Sequence, residues 1–168
     1  LVSRAMAEGL IHVRLEHRIG ACLSAEAALM RRFGLNVVRV APSLGPGADN
    51  ARTTASVAAE LLETYLARAE PQVIAFGTGR SLSAMVAELS PVPTDRHKVV
   101  SLIGNIAPDG SASFYDVILR IADKLHVQHY PMPVPVLSET AEEREMFHAL
   151  GPIQSVVALA RSADVIFV

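Results

Sequence analysis

The residues richest in chemical possibility run Val73-Ile74-Ala75-Phe76-Gly77-Thr78-Gly79-Arg80-Ser81-Leu82, an apolar stretch that passes through two glycines into hydroxyls and a cation. Four apolar residues before a glycine turn read as a buried strand, and the residues from Ser81 onward read as a helix. In a parallel sheet such a turn lies at the carboxyl end of the strands, where ligands bind in open α/β folds. The first N–H groups of a helix have no partner within it, and glycines let the backbone come close to a ligand. Thr78 and Ser81 add neutral donors and Arg80 adds charge, so the combination suits a phosphate or another anion. The plainer alternative is a turn that needs glycine only for its φ angles.

Three sharper motifs nearly fit. The dinucleotide pattern G-x-G-x-x-G breaks where Leu82 stands, and the next apolar run, Val99-Val100-Ser101-Leu102, carries no acid for a ribose. The phosphate loop of nucleotide-hydrolysing proteins is excluded because neither its four-residue spacer nor its lysine is present. The nucleophile elbow G-x-S-x-G is matched by Gly79-Arg80-Ser81-Leu82 but ends at Ser83. A hydrolase would also need a base and an acid beside Ser81; His126 and Asp164 are available, yet nothing in the sequence pairs them with it.

A second segment runs from Val99 through Ile103 into Gly104-Asn105-Ile106-Ala107-Pro108-Asp109-Gly110, a strand expected over Lys98–Ile103 and then a loop at the same sheet edge. Asn105 offers both donor and acceptor to a sugar hydroxyl, and Asp116, near the next helix start, can accept from one. Each also has a structural use, turn closure for Asn105 and helix capping for Asp116. Metal chemistry finds little support. His126 and His129, in or beside a strand, fall on opposite faces, and Cys22, the only cysteine, excludes a multi-cysteine zinc site or an internal disulfide. No metal, cofactor or catalytic residue is expected.

The elements that must position these residues follow from periodicity and turn signals. A helix over Val2–Glu8, a strand over Leu10–Leu15, a helix capped by Ser24 and ended by Gly34, a strand over Asn36–Ala41 and a loop over Pro42–Asp49 come first. A helix over Thr53–Ala69 follows, with Val57, Leu61, Leu62, Tyr65 and Leu66 on one stripe. Strands and helices then alternate: strand Gln72–Phe76, helix Ser81–Leu89, strand Lys98–Ile103, helix Phe114–Leu125 and strand Val127–Pro131. Ser113 with Asp116 resembles a capping box, and Tyr130–Pro135 reads as a strand exit forced into polyproline geometry. A helix over Glu139–Leu150, a second from Gly151-Pro152 to near Ser162, and a strand over Asp164–Val168 complete the order. Such alternation implies an α/β fold, a mostly parallel sheet with helices on both faces.

The 168 residues are 51% hydrophobic and 19% charged with a net charge of −2, the profile of one globular domain rather than a disordered or collagenous chain. That balance argues against this chain by itself gripping DNA or RNA. Its apolar runs are far shorter than the roughly 20 residues of a membrane helix, no signal peptide is visible, and one cysteine fits a reducing cytoplasm. The first forty residues hold six Arg against three Glu, which would suit a chain that follows a DNA-binding segment. A start at Leu1 and a stop at Val168 inside an apolar run lead us to expect a fragment.

Several segments occur in a telling order: Arg4 and Glu8-Gly9-Leu10-Ile11-His12-Val13; Glu26 to Leu35; Gly77-Thr78-Gly79-Arg80-Ser81-Leu82; Ser101-Leu102-Ile103-Gly104-Asn105; and Ala163-Asp164-Val165-Ile166. Over nearly the whole chain this order resembles the SorC family of bacterial sugar-responsive transcription regulators. The resemblance implies an effector domain on a fold like that of sugar-phosphate isomerases of the glucosamine-phosphate deaminase type, attached to a helix-turn-helix domain and working as an oligomer. Residues 1–13 would be the exit from that DNA-binding domain and 14–168 the effector domain, truncated at its C-terminal end. The family's glycine loop maps onto Gly77, Gly79, Arg80, Ser81 and Leu82, with Asn105 where the next strand-end loop begins, and it implies a sugar or sugar phosphate effector. The rival expectation is an isomerase or deaminase on the same architecture, which would need a positioned base that the sequence does not present.

Overall fold

The structure, a computed structural model, describes residues 15–45, 51–91, 94–112 and 116–168. The helix expected over Val2–Glu8, the exit segment 1–13 and the positions of Ser113 and Phe114 lie outside the described residues. The chain divides into two compact units, Leu1–Val57 and Ala58–Val168.

In the first unit, helix α1 spans Leu15–Phe33. It starts well before Ser24, which therefore sits inside the helix rather than at its cap. Helix formers on both sides of Ser24, among them Glu16, Ala21, Leu23, Ala25 and Ala27, outweigh one residue's preference for a terminus. Leu15, expected to end a strand, is helical. Gly34 stops the helix at φ +63°, and the Leu35 N–H closes back on the Met30 carbonyl at 3.2 Å, a glycine-terminated Schellman turn. The strand expected over Asn36–Ala41 does not form. Branched residues favour extended backbone but need a neighbouring ladder; here the Val40 N–H is taken instead by Glu26 Oε1 at 2.8 Å.

Helix α2, Ala51–Leu66, leads into the second unit. There the order is β1 (Val73–Phe76), α3 (Arg80–Glu88), β2 (Lys98–Ile106), α4 (Val117–Leu125), β3 (Gln128–Pro135), α5 (Ala141–Ala149), α6 (Gly151–Arg161) and β4 (Val165–Phe167). All four strands are parallel and lie in the order β3-β2-β1-β4. Ile74 stands opposite Val99 on one side of β1, and Ala75 stands opposite Ile166 on the other.

Burial follows the alternation of strand side chains. Ile74, Phe76 and Val99 meet Leu62 and Leu66 of α2, Met85 and Val86 of α3, and Ile118, Ile121 and Leu125 of α4 in one core. Ala75 and Val100 turn to the opposite face and are also fully buried, while α6 packs on β1, β2 and β3 and buries Ile153. The α/β fold with a parallel sheet and helices on both faces is thus what the structure shows.

Two strands run further than the sequence pattern suggests. β2 continues through Gly104 and Asn105 to Ile106, so Asn105 stands on a strand rather than at the start of a loop. It can do so because β3 also continues, through Pro131, Pro133 and Pro135, and supplies a partner to the end. Prolines are tolerated there because β3 is an outer strand of the described sheet, where the side without a neighbour needs no donors.

Candidate functional site

The strand order reverses at β1: β2 and β3 lie to one side, and β4 returns to the other. In open α/β sheets that reversal opens a crevice beyond the carboxyl ends of the strands. The turn Gly77–Gly79 leaves β1 at this place. It is held on the β4 side by the Gly77 N–H, which donates to the Phe167 carbonyl at 2.8 Å, and Phe167 stacks on Phe76 with ring centroids 5.5 Å apart.

Gly79 is the N-cap of α3, at φ 123° and ψ 175°, with no side chain capping the helix. Only glycine occupies that region readily, and having no side chain it cannot satisfy the first N–H groups of the helix. α4 and α5 differ, since Asp116 and Thr140 cap them from their side chains. The start of α3 therefore combines uncapped amides with the positive end of a helix dipole. Arg80 and Ser81 are exposed on its first turn, Thr78 is exposed just before it, and Leu82 points into the core at 7% exposure. Leu82 thus anchors the loop from beneath.

α3 is itself braced by α4. Arg120 donates to Ser83 Oγ at 3.1 Å, and the Lys124 ammonium donates to the Val86 and Ala87 carbonyls at 3.0 and 2.6 Å, satisfying the far end of α3. The helix is pinned at its second turn and at its last.

A narrow cleft gathers Gly77, Thr78, Asn105 and Asp116 with Ser101 and Val117, and its free volume, about 10 Å³, is the room of one water. Asp116 both caps α4, accepting from the Leu119 N–H at 3.3 Å, and lines the cleft, since a carboxylate has a second oxygen to offer. Asn105 is half-buried, and its amide is engaged by no other group among the described residues. Of the eight residues expected at the site, the cleft brings together these four; Gly79, Arg80 and Ser81 form its flank.

Ser101 explains how the end of β2 is shaped. Val100 pairs with Tyr130, but the next pair is Gly104 with Met132, so residues 101–103 bulge against a single residue of β3. The Ser101 hydroxyl closes the bulge by donating to the Ile103 carbonyl at 2.8 Å. Bulges re-aim side chains beside binding sites. At Gly104 the two strands approach so closely that a Cβ would meet the Val134 and Pro135 carbonyl oxygens, the latter at 2.6 Å.

Ile103 and Gly104 also line a larger groove, about 800 Å³, between the ends of β2 and β3 and helix α5. Glu139, Arg144 and His148 supply its charged and titratable groups. The sequence gives little sign of them: Ser138–Phe147, which holds Glu139 and Arg144, has four Glu against one Arg and reads as a solvated face, and His148 directly follows it. The one available signal was the spacing of four between Arg144 and His148, which puts both on one side of α5.

The hydrolase arrangement is dismantled by the topology. Ser81 lies beyond the carboxyl end of β1, whereas Asp164 precedes β4 and accepts the Val73 N–H at 2.7 Å, and His126 ends α4 ahead of β3 at φ 51°. The length of a strand, about 13 Å for four residues, separates them from the serine. Among the described residues no group of His, Cys, Asp and Glu is placed to hold a metal ion, and no helix is long and apolar enough to cross a membrane.

Comparison with known proteins gives one answer at three levels. Residues 17–168 match the family model described as "Putative sugar-binding domain". Over 164 residues the chain is 30% identical to the erythritol catabolism regulatory protein EryD of Brucella abortus (strain 2308), covering 98% of this chain and 52% of that protein. It is 28% identical over 166 residues to the transcriptional regulator LsrR of Enterobacter sp. (strain 638), covering 98% and 48%. The chain thus spans about half the length of these relatives. Among solved structures it resembles the full-length sorbitol operon regulator SorC from Klebsiella pneumoniae, with TM-score 0.78, 23% identity, and coverage of 98% of this chain and 54% of that one. A DeoR family transcriptional regulator from Listeria monocytogenes superposes with TM-score 0.75 at 18% identity, over 87% of this chain and 57% of that one.

Proposed function

Since the chain belongs to the sugar-binding domain family, whose relatives here are named transcriptional regulators, we propose that the crevice beyond β1 and β2 receives a sugar or sugar-phosphate effector. The observation that carries this reading is the start of α3: a helix N-terminus with no side-chain cap, opened by a glycine at φ 123°, at the switch point of a parallel sheet. A phosphate or polyol oxygen accepts from those amides, with the hydroxyls of Thr78 and Ser81 beside them. Asn105 and Asp116 take hydroxyls of the carbohydrate. The cleft has room for little more than the head group, so the body of the ligand extends over Gly104 into the groove beside Arg144 and His148.

The domain acts by binding rather than by catalysis, as its relatives' roles indicate. An effector that fits one arrangement of the domain better shifts the population toward it, and the difference in affinity is passed to DNA-binding domains attached elsewhere in the protein. We place such a regulator in the cytoplasm as a homo-oligomer.

The test is a thermal-shift and calorimetric panel of sugars, small polyols including erythritol, and their phosphates. A rise in melting temperature with saturable heat and no turnover supports the effector reading, while conversion of any compound overturns it in favour of an isomerase or deaminase. Ser81→Ala and Thr78→Val are each expected to weaken binding of the best compound by about tenfold, the worth of one hydrogen bond to a polar oxygen. Unchanged affinity in both removes the loop from the site.

A further inference from the structure

We infer that Ser101 is a positioning residue of the effector crevice: its hydroxyl holds the bulge of β2 closed and so keeps Asn105 beside Thr78, where the Asn105 amide meets the carbohydrate. This inference rests on the effector reading of the crevice and names a residue on which the recognition of a sugar hydroxyl depends.

Phe76, the last residue of β1, stands opposite Ser101. Asn105 comes four residues later, so a strand that ran on regularly would carry it about 13 Å beyond Phe76, at roughly 3.3 Å per residue. Yet Asn105 lines one narrow cleft with Gly77 and Thr78, the first two residues after Phe76. The bulge accounts for the difference. From Val100 to Gly104 β2 takes four steps where β3, from Tyr130 to Met132, takes two. Two residues' worth of rise, about 7 Å, is thereby folded away, and Asn105 is drawn back to the cleft. An even number of extra residues also preserves the alternation, so Asn105 keeps the face of Val99 and Ser101.

Both ends of the bulge are fixed. The Ser101 hydroxyl donates to the Ile103 carbonyl at 2.8 Å and accepts the Ile103 N–H at 3.4 Å, bridging both polar groups of one residue. At the other end Gly104 rejoins the ladder opposite Met132, too close to the Val134 and Pro135 carbonyls for a Cβ to fit. Ser101 lines the cleft, but its single O–H is already committed to Ile103, so it acts on the effector through Asn105. Removing the hydroxyl strips Ile103 of that partner and frees residues 101–103 to extend, which carries Asn105 out of the cleft.

The first test needs no effector. NMR of the wild-type chain is expected to show NOEs between the Asn105 side-chain amide and Thr78; Ser101→Ala loses them and Ser101→Thr, which keeps a hydroxyl, retains them. Calorimetry then uses the sugar or sugar phosphate that binds the wild type best. Ser101→Ala and Asn105→Ala are each expected to weaken it about fivefold, a typical net hydrogen bond, and the double variant no further than either alone. Inorganic phosphate, which asks only for the amides of α3, is expected to bind all three variants as it binds the wild type. NOEs absent from the wild type, kept in Ser101→Ala or lost equally in Ser101→Thr would overturn the proposal. So would undiminished binding by Ser101→Ala, losses that add in the double variant, or a parallel loss of phosphate, which would mark general damage to the domain. If no compound binds the wild type, the effector reading itself fails, and the NOEs alone decide whether Ser101 places Asn105.

Discussion

Gly79 sets the local chemistry because it meets two requirements at once. Its φ of 123° turns the chain from β1 into α3, and its lack of a side chain leaves the helix start open. Gly79→Ala is expected to lower effector affinity by at least tenfold, read by calorimetry, because an alanine there is strained by about 1–3 kcal/mol and the loop relaxes away from the amide-donating geometry. Asp109 gives a prediction of a different kind. The Ser111 hydroxyl, donating at 2.6 Å, and then the Ser111 N–H, at 3.0 Å, hold this carboxyl below its ordinary 3.8. A lowered folded value means that the turn's stabilisation is complete above the unfolded pKa and is lost as pH falls through the folded one. NMR titration of the Asp109 side chain is therefore expected to give a midpoint below that of an unstructured peptide, and Ser111→Ala, which removes the hydroxyl but keeps the N–H, to raise it part of the way back. The glycine turn could be read from residue types alone. Arg144 and His148 could not, since a charged residue on a polar helix says nothing of the strand ends that it faces.

At the scale of elements, the helices around the crevice are held by side chains whose effects can be separated. Asp116 caps α4, so Asp116→Ala is expected to cost about 1 kcal/mol in chemical denaturation. If the same carboxylate also meets the effector, Asp116→Asn, an equally good cap, recovers stability without restoring affinity; recovery of both would assign Asp116 to capping alone. Lys124 braces the far end of α3 from α4, and Lys124→Met is expected to weaken effector binding severalfold with a stability loss of about 0.5–1 kcal/mol, both read on the same protein by calorimetry and urea melts. Repeating units of strand and helix from Val73 to Leu125 were legible because each has a turn signal and a clean period. Element ends were less so. β2 outran Ile103 because a partner strand, which no local pattern announces, carried it on, and residues 36–41 failed to become a strand for want of one.

On the scale of the whole molecule, the second unit is organised by its sheet and the apolar residues closed over it. Ile121 is fully buried among α2, α3 and β1 side chains, so Ile121→Ala is expected to destabilise by about 2–5 kcal/mol in urea unfolding. A parallel sheet was predictable from the alternation of elements, whereas its strand order was not. Nothing in Asp164–Val168 announces that β4 crosses back to lie beside β1, yet that return creates the crevice. The outer strand on the other flank has a consequence of its own. Three of the eight residues of β3 are prolines, spaced two apart, so that rim has few donors with which to zip an incoming extended chain onto the sheet. The rim is thereby guarded against fibril-like stacking, and any protein that docks on this side has to engage faces and loops rather than add a rung.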